Sequence, residues 1–180
     1  KPALGATGYV LLSVTDNFCS RTALNDTVFV QVNPLPTAII STTTPSICQG
    51  TQATLNINFT GTANFSGSWQ LQGGGSTNFN TASNPYTFNL NPAVGNNIYQ
   101  LVGQVTDGNG CKQNVNAATA AVNVIQLPVA SLSGNDTACV GSAIQLNVNF
   151  PQGTAPYTFY YHNITTGTAG TATNVNPGAG

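Results

Sequence analysis

The chain has very little charge. Its 180 residues include three basic and four acidic side chains, with no Met and no Glu. Charged residues make up 4% of the sequence, against roughly 25% in an ordinary soluble domain. Nucleic acids and anionic membranes are recognised by clustered Lys and Arg. Three scattered cations therefore argue against a nucleic-acid partner and against binding to an anionic membrane.

Long apolar runs are missing as well. No stretch reaches the 18 or more apolar residues of a transmembrane helix, so we expect no membrane insertion by this segment. The N-terminal residues KPALGATGYV show neither an initiator Met nor a signal peptide. We therefore expect a mature chain or one cut from something longer.

Side chains that carry out catalysis are scarce. Four Asp, one His and no Glu provide no catalytic triad and no acid and base pair, and the glycine-rich segment LQGGGST lacks the Lys of a phosphate-binding loop. No two cysteines form a CxxC pair, and His162 has no second metal ligand near it in sequence. The sequence therefore predicts a protein that is not an enzyme and uses no cofactor.

Strong helix formers are also few, whereas residues typical of strands and turns are abundant. Thr, Asn, Val and Gly dominate, and 19 Gly and 10 Pro interrupt the chain. Because 41% of the residues are hydrophobic, the chain can still bury a core. This composition predicts an all-β fold of short strands.

The chain contains an internal repeat of about 91 residues. Five landmarks recur in the same order after 91 or 92 residues. They are Leu35–Ala38 with Leu127–Ala130, Ile47–Gly50 with Ala138–Gly141, Leu55–Phe59 with Leu146–Phe150, Ser13–Cys19 with Gln104–Cys111, and Val30 and Val32 with Val122 and Val124. Residues 36–127 thus form one complete copy, residues 1–35 the C-terminal half of a copy, and residues 128–180 the N-terminal half of another.

Alternation of apolar and polar residues predicts half-buried strands within the complete copy. The strands are expected at Leu55–Phe59, Ser68–Gln72, Tyr86–Leu90, Ile98–Thr106 and Ala120–Ile125, with a bulge at Gly103. Six or seven short strands in this length predict an antiparallel β-sandwich of immunoglobulin type, with tandem sandwiches in a linear array. Trp69 aligns with Tyr160 as a core aromatic, or alternatively as a ligand platform.

Each half copy is expected to leave an apolar face without its cover. Residues 128–180 supply the face formed by Ile144, Leu146, Val148 and Phe150 but lack the closing strands. Residues 1–35 supply only closing strands, with Val10, Leu12, Val14, Val28, Val30 and Val32. Because isolated proteins avoid open apolar sheets, we expect the halves to meet across successive copies.

The four cysteines predict disulfides. Cys48 comes before one alternating strand and Cys111 follows another, 63 residues later, so a bond across one end of the sandwich is reasonable. Cys139 and the Cys19 of a following copy close a loop of similar length. A structural disulfide indicates an oxidising, extracellular setting.

Asp16 and Asp107 both follow Val-Thr and come shortly before a cysteine. Their side chains, with the DGNG segment, could offer oxygen ligands to calcium. A turn is the competing interpretation, because Asp-Gly and Asn-Gly are hairpin residues and no second carboxylate accompanies Asp107.

These motifs together resemble the PKD-like or immunoglobulin-like repeats of giant surface adhesins in Bacteroidota. The resemblance covers essentially the whole chain and rests on LPxA at the junction, C-x-G before an alternating strand, a Pro-Tyr aromatic strand and the VTD segment before Cys. It departs at Asn17-Phe18, which replaces the glycine turn of the second copy. The resemblance implies export by the type IX secretion system and O-glycosylation at Asp-Ser/Thr-apolar sequences, here Thr27 and Thr137.

The expected function is a structural repeat segment of a long extracellular surface filament acting in adhesion and gliding motility. Its partners would be neighbouring repeats of the same filament and surface polysaccharide or other cells. Two alternatives stay open: an accessory carbohydrate-binding module of a secreted enzyme, favoured by an exposed row of aromatic rings, and a self-assembling extracellular fibre whose chains complete each other's half domains.

Overall fold

The structure of the chain is a computed structural model that describes residues 3–115, 119–134 and 137–176. The described residues contain no helix and form fifteen strands, which confirms the all-β class. The strands are β1 (Gly5–Thr15), β2 (Ser20–Val32), β3 (Thr37–Thr42), β4 (Ser46–Cys48), β5 (Ala53–Thr60), β6 (Phe65–Leu71), β7 (Ser76–Thr81), β8 (Tyr86–Leu90), β9 (Gly95–Thr106), β10 (Lys112–Asn114), β11 (Thr119–Ile125), β12 (Val129–Gly134), β13 (Leu146–Gln152), β14 (Tyr157–His162) and β15 (Ala169–Val175).

The sheets follow the internal repeat. β1 and β2 form an antiparallel hairpin, β12 pairs with β13, and β14 pairs with β15. The strands that lie between these in sequence form a three-stranded sheet in the order β3-β5-β8 and a six-stranded sheet in the order β4-β11-β9-β6-β7, with β10 also paired to β9. No described sheet contains strands from two of the segments 1–35, 36–127 and 128–180.

Two sheets of the complete copy pack face to face through aromatic rings. The ring of Phe59 on β5 stacks on Phe65 of β6 with centroids 4.4 Å apart, and Trp69 of β6 stacks on Phe88 of β8 at 4.7 Å. Side chains alternate along β5, so that Leu55 is fully buried while Asn56 and Asn58 lie on the opposite face. This packing agrees with the predicted β-sandwich.

The described chain divides into two compact units. One comprises residues 1–43, 54–90 and 98–121, and the other residues 44–53, 91–97 and 122–180. Both units include part of the complete copy. The segment boundaries at 35/36 and 127/128 therefore stay a prediction from the repeat.

Several predicted details have direct counterparts in the strands. The strand Tyr86–Leu90 has the predicted bounds. Gly103 has a positive φ of 71°, and β9 has two extra residues there, because Ser66 pairs with Thr106 while Ser68 pairs with Val102. This is the predicted bulge. Four strands of the complete copy were not predicted, namely β3, β4, β7 and β10.

The repeat provides matched positions for testing how much burial stabilises the complete copy. Leu55 is 0% exposed and its counterpart Leu146 is 54% exposed. We expect Leu55→Ala to lower the free energy of unfolding of the complete copy by about 2 to 5 kcal/mol, because it opens a cavity in the core. Leu146→Ala should leave this transition unchanged. Urea unfolding followed by the fluorescence of Trp69, the only tryptophan, measures both, and equal effects of the two variants would contradict the assignment.

Candidate functional site

Asp107 organises the turn between β9 and β10. Its Oδ1 accepts hydrogen bonds from the backbone N–H groups of Asn109 and Cys111, both at 3.0 Å. Its Oδ2 accepts one from the N–H of Thr62 at 3.2 Å. The side chain is only 5% exposed. Its two oxygens together accept hydrogen bonds from three backbone N–H groups.

Asp16 forms the equivalent turn in the first segment. Its Oδ1 accepts hydrogen bonds from the N–H groups of Phe18 at 2.8 Å and Cys19 at 2.7 Å. These two bonds lower the pKa of Asp16 below its ordinary value. Both aspartates therefore form hydrogen-bonded turns. Of the two interpretations of the sequence, a calcium site and a turn, this geometry is that of the turn. No group of three or more His, Cys, Asp or Glu among the described residues is arranged to hold a metal ion.

The structure does not form the predicted bond between Cys48 and Cys111. All four cysteines are free thiols. Cys48 ends β4 and pairs with Ile125 of β11. Cys111 lies instead in the turn held by Asp107, which hydrogen-bonds to Thr62, so the two cysteines belong to different local structures.

The two other cysteines are exposed free thiols as well. The carbonyl oxygen of Cys139 accepts a hydrogen bond from the N–H of Ser142 at 3.0 Å, as that of Cys48 does from Thr51 at 3.0 Å. Cys139 thus begins the same turn as Cys48. The predicted bond between Cys139 and the Cys19 of another copy loses its support, because it was derived from the same expected geometry.

The aromatic contacts correct the alignment of Trp69. The stacked pair Phe59 and Phe65 recurs as Phe150 and Tyr157, with ring centroids 4.2 Å apart. Since Phe65 corresponds to Tyr157, Trp69 corresponds to Tyr161 and not to Tyr160.

Tyr160 points away from that face and is 80% exposed. The other aromatic residues of β14 lie on its opposite face, where alternate rings follow one another from Tyr157 through Phe159 to Tyr161. The outer face of β14 therefore presents a single aromatic ring and not the row that a carbohydrate-binding surface uses.

Both threonines with a predicted O-glycan are exposed. Thr27 lies on β2, where its Oγ1 donates a hydrogen bond to the carbonyl oxygen of Asn25 at 3.4 Å. Thr137 is exposed in the segment between β12 and β13, while Asp136 lies outside the described residues. An exposed hydroxyl is accessible to a glycosyltransferase, and modification of both sites stays a prediction.

An apolar groove lies between the two hairpins of the last segment. Its volume is about 760 Å³. Its apolar lining consists of Leu132, Ile144, Leu146, Val148, Phe159 and Tyr161, with Ile164 at its edge. In the complete copy, the counterparts of the first four are Ile40, Ala53, Leu55 and Ile57, all of them buried. The groove therefore corresponds to the buried core face of the complete copy, and no strand among the described residues of this segment takes the place of β9 and β11.

Comparisons with known proteins do not identify a family. No protein-family model matches the sequence, and no curated protein matches it. In the part of the chain that the structure describes, no helix is long and apolar enough to cross a membrane.

The aspartate turn makes a testable contribution to stability. We expect Asp107→Ala to lower the free energy of unfolding of the complete copy by about 2 to 4 kcal/mol, because it leaves backbone amides near a buried site without an acceptor. Asp107→Asn keeps one oxygen and should cost less. Asp16→Ala, in the exposed equivalent turn, is the control and should leave the Trp69 transition unchanged. Equal shifts for Asp107→Ala and Asp16→Ala in urea unfolding would contradict the role assigned to Asp107.

The glycosylation prediction is tested on protein from the native source. We expect Thr27 and Thr137 to carry O-glycans, because each stands between Asp and an apolar residue and each is exposed. Glycopeptide mass spectrometry measures their occupancy. Other exposed threonines without a preceding Asp, such as Thr165, are the internal control, and bare Thr27 and Thr137 would contradict the prediction.

Proposed function

We propose that this chain is a structural repeat segment of a long extracellular surface filament that acts in adhesion and gliding motility. The observation that carries the proposal is the repeat, whose copies agree in local detail as well as in sequence. Gly50 and Gly141 have φ values of 84° and 85°. The stacked aromatic pair and the aspartate turn recur as described above. A sandwich repeated in tandem is a means of spanning distance.

The junctions between copies favour a stiff array. Pro34-Leu35-Pro36 and Leu127-Pro128 join the segments without a Gly/Ser spacer. Proline fixes φ and restricts the residue before it. Gly153 has a φ of 110°, and a side chain there would meet Pro128 at 2.9 Å, as a side chain at Gly61 would meet Pro36 at 3.3 Å. Each junction proline is thus held against the sandwich that it begins.

The near absence of charge also supports a structural role. A chain with three basic and four acidic residues has weak electrostatic repulsion between copies, which permits lateral association. Neighbouring repeats are therefore the first partners that we propose, with surface polysaccharide or other cells as the adhesion target.

Labelling of intact cells tests the location and the role. We expect antibodies against this chain to label filaments on the surface of unpermeabilised cells of the source organism in electron microscopy. Deletion of the gene should remove the label and reduce adhesion and gliding, and restoring the gene should recover both. Label found only after permeabilisation, or unchanged adhesion and gliding after deletion, would contradict the proposal.

A further inference from the structure

We propose that the open groove of residues 128–176 binds the β1–β2 hairpin of a second copy of this chain, in the register that β9–β11 adopts within the complete copy. This inference rests on one part of the proposed function, the array of repeats. It does not require the protein to be an adhesin. The occupant is a segment of stated sequence, and the complete copy supplies the template for the interface.

The template shows which side chains close a sandwich of this kind. In the complete copy, the closing strands β9 and β11 contribute Leu101, Val105 and Val122, each 0% exposed. The β5 residues Leu55 and Ile57 are 0% exposed as well, so both sets of side chains are buried in the complete copy. A sandwich that lacks these strands exposes the counterparts of both sets.

The β1–β2 hairpin carries the missing side chains. Leu11, Val14 and Val30 are the sequence counterparts of the three buried closing residues, and they are 51%, 56% and 39% exposed. Their neighbours on the same face are Tyr9, Val28 and Val32. Among the residues that the structure describes, β1 and β2 pair only with each other, and the apolar face of this hairpin is exposed, as is the apolar lining of the groove.

The strand pairings of the template fix the register of the complex. In the complete copy Ser68 pairs with Val102 and Trp69 with Leu101. By the aromatic alignment, Tyr160 then pairs with Leu12 of the second copy and Tyr161 with its Leu11. The parallel pairing of Ile47 with Val124 places Ala138 beside Val32 of the second copy.

This register also places the carboxylate of Asp16 of the second copy opposite a backbone N–H group of the groove. In the complete copy Asp107 accepts a hydrogen bond from the Thr62 N–H, and Gly108 N–H donates to the Thr62 carbonyl at 2.9 Å. Thr154 is the counterpart of Thr62 in the last segment. Asp16 of the second copy should therefore accept a bond from the Thr154 N–H, which would give this nearly uncharged interface a polar anchor.

Two adjacent residues of β2, Phe29 and Val30, lie on opposite faces of the hairpin. Val30 corresponds to the fully buried Val122, whereas Phe29 corresponds to Ala121, which is exposed. We expect the unmodified chain to form oligomers whose mass rises with concentration in sedimentation velocity. Val30→Asp should raise the concentration needed for assembly on the order of a hundredfold, because it buries an unpaired charge. Phe29→Asp is the matched control and should still assemble.

Cross-linking tests the register without relying on a destabilising substitution. In a background with all four cysteines replaced by Ser, chains carrying Tyr160→Cys are mixed with chains carrying Leu12→Cys and oxidised. We expect disulfide-linked dimers of the two variants. The control replaces Leu12→Cys with Val10→Cys, two positions away on the same strand face, and should give about a tenth of the dimer or less.

Four outcomes would overturn the proposal. The first is a chain that stays monomeric at all concentrations, and the second is equal loss of assembly in Val30→Asp and Phe29→Asp. The third is equal cross-linking at positions 10 and 12. The fourth is a doubly substituted chain with Tyr160→Cys and Leu12→Cys that cross-links only within itself. Failure here leaves surface labelling unaffected, so it is distinguishable from failure of the proposed function.

Discussion

The covering of one alternating apolar face is the requirement on which the structure of this chain depends. Leu55 and Leu146 occupy the same place in the same sequence motif, yet one is buried and the other is half exposed. The difference comes from β9 and β11 of the complete copy, which have no counterpart among the described residues of the last segment. Burial of apolar area contributes roughly 25 cal/mol per Å², so an uncovered sheet face is a large free-energy source for association.

Polar side chains, in contrast, hold the sheets in register. Asn84 accepts a hydrogen bond from the N–H of Phe59 at 3.0 Å and donates one to its carbonyl oxygen at 2.9 Å. On the outer face, Thr87 donates to Asn56 at 2.6 Å, and Thr54 donates to Asn89 at 2.9 Å. The abundant Asn and Thr thus serve as uncharged cross-strand pairs, which explains how a chain with so few ions orders its strands.

The alternation of apolar and polar residues predicted those parts of the fold that depend on local sequence. The all-β class and the strand Tyr86–Leu90 follow from alternation and turn residues, which are local. The three-residue strand β4 was missed because so short a segment has no period, and its parallel partner β11 is distant in sequence. The predicted bond between Cys48 and Cys111 was wrong for a related reason. The position of a cysteine next to a strand in the sequence does not tell which other loops lie near it in the fold. Without that bond, the proposal of an extracellular location depends on the resemblance of the sequence motifs alone.

Low charge makes the register of association a problem that the aspartate turn addresses. An apolar hairpin sliding along an apolar groove meets little electrostatic resistance, and a shift by one residue turns every side chain to the other face. Asp16 is one of four acidic residues in the chain, and the template gives it an amide partner, Thr154, only in the matching register. Any other register leaves a carboxylate beside apolar side chains and a backbone N–H without an acceptor, both of which cost free energy. The apolar contacts themselves disfavour a shift by one residue, and the carboxylate adds discrimination against a shift by two residues, which keeps the same face towards the groove.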